Sequence, residues 1–71
     1  MATSVEAHIT GTLFKVETEV GAEVQEGDVL VIIESMKMEM PVEAPSAGRV
    51  VEIRAEEGQS VEEGDVLVVL E

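Results

Sequence analysis

The chain repeats itself after 37 residues. Residues 11–34, GTLFKVETEVGAEVQEGDVLVIIE, fall without a gap on residues 48–71, GRVVEIRAEEGQSVEEGDVLVVLE, and eleven of the twenty-four positions are identical. The match extends backwards, where VEAH at 5–8 falls on VEAP at 42–45. Residues 1–34 and 38–71 are therefore two copies of one unit, and Ser35, Met36 and Lys37 are left over as the joint between them. A unit that occurs twice is expected to fold as two equivalent halves around a pseudo-two-fold axis. Anything without a repeat partner is then not dictated by the fold.

Each copy reads as β-structure. VLVIIE and VLVVLE are rich in β-branched residues and follow the turn signal EGD. GTLFKVE and GRVVEIRA are also strand-like, although Leu13/Val16 and Val50/Ile53 are spaced by three rather than two. A bulge or strand end near Phe14 and Val51 reconciles that spacing with a pleated strand. EVGAEVQEGD and EEGQSVEEGD read as turns with one buried anchor each, Val24 or Val61. Gly21/Gly58 and Gly27/Gly64 recur where positive φ or close approach is expected. No stretch has helical apolar spacing with caps. With SVEAHI and MEMPVEA included, each half supplies about four short strands. The expected class is all-β, as two small antiparallel sheets packed face to face or a flattened barrel. Leu30, Ile32, Leu67 and Val69 are the expected core. Two-fold packing also sends corresponding ends to opposite poles. Lys37 is expected on a tight hairpin at one pole, and the two chain ends at the other.

With 71 residues the chain makes one thin-cored domain, residues 1–71. It contains no cysteine, which fits a reducing compartment, and the cytoplasm is the expected location. The N-terminal stretch lacks the basic start and apolar run of a secretion signal, and no apolar run is long enough to span a membrane, so no direct membrane insertion is expected. The formal net charge of −12 keeps the chain soluble and repels nucleic acid and anionic lipid.

The joint is where the chemistry concentrates. The chain has two lysines; Lys37 stands in ESMKMEM between Met36 and Met38, with Met40 two residues on. A two-residue hairpin favours Gly, Asn or Asp, and Met-Lys occupies it instead. Exposed methionine serves solubility poorly but makes an adaptable contact surface. ESMKMEM resembles the attachment motif of biotin carboxyl carrier domains, and VEAP followed by Gly48, EGQSVEEGDVL and GAEVQEGDVL agree with the wider biotinyl/lipoyl attachment family. The resemblance covers nearly the whole chain. It implies a flattened barrel-sandwich of two four-stranded antiparallel sheets with pseudo-two-fold symmetry. It further implies that Lys37 carries covalent biotin, with Met36 and Met38 as its recognition neighbours. The implied partners are a biotin protein ligase and the biotin carboxylase and carboxyltransferase subunits of a biotin-dependent carboxylase or decarboxylase. The chain would be a carrier and not by itself an enzyme.

Two features differ from the family habit. His8 stands where the second copy has Pro45, and the gapless repeat leaves no room for the "thumb" insertion of some acetyl-CoA carboxylase carriers. No Ala/Pro-rich stretch precedes the domain, so a small free-standing attachment protein, or the carrier of an acyl-CoA or keto-acid enzyme, is expected. The alternative is a lipoyl carrier or a dual biotin/lipoyl attachment protein, although in lipoyl carriers the lysine usually follows Asp. An unmodified assembly module needs no tip lysine. A Ca²⁺ site lacks the required Asp-x-Asp-x-Asp-Gly spacing. No Ser/His/Asp set, Cys/His set or metal cluster is visible, so no catalytic residue and no metal are expected.

Overall fold

The computed structural model describes residues 2–71, so Met1, where the first copy is expected to begin, lies outside the described residues. Eight strands follow one another: β1 (Thr3–Glu6), β2 (Gly11–Val16), β3 (Glu23–Val24), β4 (Val29–Ser35), β5 (Met38–Glu43), β6 (Gly48–Ile53), β7 (Ser60–Val61) and β8 (Val66–Leu70). Among the described residues there is no helix. The strands form two four-stranded antiparallel sheets, ordered β1-β8-β6-β3 and β5-β4-β2-β7. Adding 37 to β2 and β3 gives the bounds of β6 and β7, so each sheet takes strands from both copies. The result is the flattened barrel-sandwich, with principal extents of 33 × 17 × 17 Å.

The departures from strict alternation repeat as well. Leu13 faces Ile33 and Lys15 faces Ile32, so β2 carries an extra residue at Phe14. Val50 faces Leu70 and Glu52 faces Val69, which places the equivalent bulge at Val51. Two further bulges hold Leu30, between Val29↔Glu43 and Val31↔Val42, and Leu67, between Glu6↔Val66 and Val5↔Val68. A bulge admits one unpaired residue and reverses the facing of all that follow. Leu30 and Val31 are consequently both buried, as are Leu67 and Val68. Ile33 and Leu70 reach the core in place of Ile32 and Val69, which are only half-buried, contrary to the expectation from sequence.

The core itself obeys the two-fold. Val5/Val42, Ala7/Ala44, Leu13/Val50, Val24/Val61, Leu30/Leu67, Val31/Val68 and Ile33/Leu70 are buried pairs, and Ala55 alone is buried without a buried counterpart. Small aliphatic side chains are what a sandwich only 17 Å thick accommodates, and Phe14 is left about half exposed on its bulge. The turns match too. Asp28 and Asp65 each accept a hydrogen bond on Oδ2 from the backbone N–H three residues earlier, at Gln25 (2.8 Å) and Glu62 (2.9 Å). The acids of the two EGD turns are thus turn caps. Gly21, Gly27, Gly58 and Gly64 all have φ between 91° and 96°, a left-handed turn conformation that residues with a Cβ rarely adopt, although the space around each is open.

Register fixes the poles. β4 runs from Val29, opposite Glu43, to Ser35, opposite Met38. At the Val29 end the Ala44 N–H donates to the Asp28 carbonyl, and the chain then crosses to Gly48, which pairs with Val24. Arg49 and Glu71 exchange backbone hydrogen bonds there at 2.8 Å, and Thr3 lies opposite Leu70. Thr3 and Glu71 therefore sit together at the pole away from Met36 and Lys37.

Candidate functional site at the β4–β5 hairpin

Ser35 and Met38 close the β4–β5 hairpin, and Met36 and Lys37 are its two-residue loop. Both have positive φ, 54° at Met36 and 64° at Lys37. Positive φ at both central residues is the type I′ arrangement, whose twist matches that of the strands it joins. For residues with a Cβ that conformation is unfavourable by about 1–2 kcal/mol each, and it persists only because the paired strands over-determine it.

The loop stands clear of the body. Met36 is 91% exposed and Met38 60% exposed, and Lys37 is exposed between them. Met40 behaves differently. It lies across from the fully buried Ile33 and is itself half-buried, so it belongs to the inner face rather than to the tip. Glu34 and Glu39 face each other across the hairpin on the outer face, both exposed. Like charges directly opposite oppose pairing slightly, a feature that the one-dimensional sequence conceals because five positions separate them. The ion pairs among the described residues lie elsewhere: Lys15–Glu17 at 3.9 Å and Arg54–Glu52 at 3.0 Å. These pairs occupy equivalent sites with their signs exchanged, since Lys15 corresponds to Glu52 and Glu17 to Arg54. Lys37 takes part in neither.

The base of the hairpin is tightly seated. A Cβ at Gly11, the first residue of β2, would collide with the carbonyl oxygen of Glu34 and stand 2.9 Å from Cγ2 of Ile33. Only glycine lets β2 lie this close beneath the tip. Two surface depressions leave the tip aside. One is bordered by Val16, Glu17, Glu23, Val24 and Asp28, and the other by His8, Glu26, Pro41 and Pro45. His8 is exposed. Nothing encloses Lys37, so a group joined to its amine would extend into solvent on the lysine stem.

A two-fold sandwich of eight short strands whose joint holds out a single lysine defines an attachment domain of the biotinyl/lipoyl class. The family model described as "Biotin-requiring enzyme" matches residues 1–70, and the chain belongs to that family. It is 48% identical over 42 residues to the biotinylated protein TB7.3 homolog of Mycobacterium leprae, and 45% identical over 42 residues to biotinylated protein TB7.3 of Mycobacterium tuberculosis. Each alignment spans 59% of this chain and 59% of the relative. Among solved structures, the urea carboxylase of Kluyveromyces lactis contains a segment that superposes on all of this chain with a TM-score of 0.95 and 38% identity. A single-chain, multi-domain long-chain acyl-CoA carboxylase matches 96% of the chain with a TM-score of 0.91 and 37% identity. The chain corresponds to 6% and 7% of those two proteins.

Proposed function

We propose that this chain, residues 1–71 as one attachment domain, is a biotin carboxyl carrier and that Lys37 is the residue that bears biotin. The observation that carries the reading is the joint. The one segment outside the two-fold repeat presents an exposed lysine, free of the ion pairs that hold Lys15 and Arg54, at the apex of a two-residue hairpin. The names of the relatives and the carboxylase neighbours point the same way.

The residues fit the group. A biotin protein ligase would present biotinyl-adenylate to the tip. The deprotonated Lys37 amine attacks its activated carbonyl, an amide forms, AMP leaves and the lysine loses its charge. Lysine suits this role because its amine sheds a proton where a guanidinium does not, and its four-carbon stem adds reach. Once attached, biotin supplies the capacity to hold and release a carboxyl group. Lys37 tethers it, the I′ turn aims it away from the body, and Met36 and Met38 offer adaptable apolar contact to a visiting active site. Carboxylation and carboxyl transfer then belong to biotin carboxylase and carboxyltransferase subunits or domains, with this chain as carrier and not catalyst. The cytoplasm, where ligase and ATP meet the chain, is part of the same proposal.

The test is intact-mass measurement of the chain after incubation with a biotin ligase, biotin and ATP, and separately with a lipoyl ligase, lipoate and ATP. One added biotin and little or no lipoyl mass is the expected result. The lipoyl mass alone would overturn the assignment in favour of a lipoyl carrier.

A further inference from the structure

Two thioethers stand largely in solvent on either side of the lysine, outside the buried core. Met36 is 91% exposed and Met38 60% exposed, whereas Met40, two residues along the same strand, is half-buried opposite Ile33. Met36 also occupies a positive-φ position at which Asn or Gly would be more comfortable. Thioether sulfur has lone pairs that hydroperoxides attack readily, and the sulfoxide formed is polar and chiral instead of soft and apolar. From this exposure and position we infer that Met36 and Met38 form a peroxide-sensitive modification site that controls how well the tip enters a partner's active site. The inference rests on the carrier reading of Lys37.

The step needs a hydroperoxide as oxidant. A sulfur lone pair attacks one peroxide oxygen, the S–O bond forms and the O–O bond breaks. The thioether loses two electrons and the peroxide gains them. With hydrogen peroxide, the proton on the transferred oxygen passes to the departing hydroxide, and water leaves. The backbone is untouched and Lys37 keeps its amine, so the change falls on contact chemistry alone. A methionine sulfoxide reductase with a thiol reductant returns the thioether.

The experiment treats the unmodified protein with hydrogen peroxide and maps sulfoxide by peptide mass. Oxidation at Met36 and Met38 is expected at least about fivefold faster than at Met40. Two rates are then compared before and after oxidation: biotin incorporation by a biotin ligase, and ATP-dependent labelling of the biotinylated chain with radioactive bicarbonate by a biotin carboxylase. A fall of at least about fivefold in either rate, reversed by the reductase, supports the site. The double variant Met36→Leu/Met38→Leu keeps apolar contact without an oxidisable sulfur, and its rates are expected to be indifferent to peroxide. Oxidation first at Met40, unchanged rates for both enzymes after oxidation, or equal sensitivity of the Leu variant would overturn the inference. Failure of the untreated chain to accept biotin at all would instead overturn the carrier reading, and this inference with it.

Discussion

The two poles of the molecule are built from the same parts and end differently. At one, β8 finishes at Leu70, Glu71 is held by Arg49, and Thr3 begins alongside. At the other, the equivalent strand β4 continues through Ser35, Met36 and Lys37 into β5. Strand bounds, bulges, turn caps and buried pairs elsewhere recur at a spacing of 37 residues, so what differs between the poles is not required by the sandwich. The break in the repeat is three residues long, and these include two positive-φ residues with full side chains. A fold that solves the same turn problem elsewhere with Gly21, Gly27, Gly58 and Gly64 has not done so here. The comparison separates positions that packing requires from positions that it does not.

The strongest way to break that comparison is to exchange the lysines. Lys37→Arg is expected to abolish streptavidin capture after incubation with ligase, biotin and ATP while leaving stability within about 0.5 kcal/mol. Lys15→Arg, on the outer strand face, is expected to be captured at the normal rate; capture of the first variant or loss of the second would place attachment elsewhere. Next in size are the bulge leucines. Leu30 and Leu67 are 0% and 1% exposed, and truncating either to Ala is expected to destabilise the fold by about 2–5 kcal/mol, the two values agreeing closely because the halves do. Urea unfolding measures both, and a large inequality would mean that the halves do not share the core evenly.

The glycines sharpen the contrast further. A Cβ at Gly11 meets the Glu34 carbonyl, whereas its counterpart at Gly48 would lie 3.2 Å from the Glu71 carbonyl oxygen. Gly11→Ala is expected to cost about 1–3 kcal/mol and Gly48→Ala clearly less, read as unfolding midpoints. Smaller again is the relief of the loop. Met36→Asn, better suited to positive φ, is expected to stabilise by up to about 1 kcal/mol in thermal unfolding, and a destabilised variant would mean that Met36 packs usefully after all. Least of all, Lys15→Ala and Arg54→Ala each remove an exposed ion pair and are expected to change stability by less than about 0.5 kcal/mol.

Much of this was legible in one dimension because duplication supplies its own alignment. The strands, the turn glycines and the bulges at Phe14 and Val51 are visible as matched irregularities in two copies. The bulges at Leu30 and Leu67 are not. In VLVII and VLVVL every residue is apolar, so a reversal of facing leaves no polar residue to mark it, and Ile32 and Val69 look as buried as Ile33 and Leu70. Met40 misleads for a related reason. It reads as a member of the tip cluster, but strand alternation turns it inward. The hairpin placement of Met36 and Lys37 follows from the joint, whereas their positive φ follows from strand twist, which no residue type there announces.

Gly11 beneath Glu34 and the paired strands on either side leave the hairpin little freedom of its own. Lys37 is therefore fixed to the body at one pole, with Thr3 and Glu71 at the other, in a molecule whose longest extent is 33 Å. Mechanically this is a lever with its load at the tip. A rotation about the ends carries the lysine along an arc whose radius approaches the full length of the molecule, while the same rotation about the middle would halve it. On the carrier reading proposed for Lys37, the delivery range of a group joined to it is then set by the stiffness of the sandwich as much as by the flexible stem of the lysine.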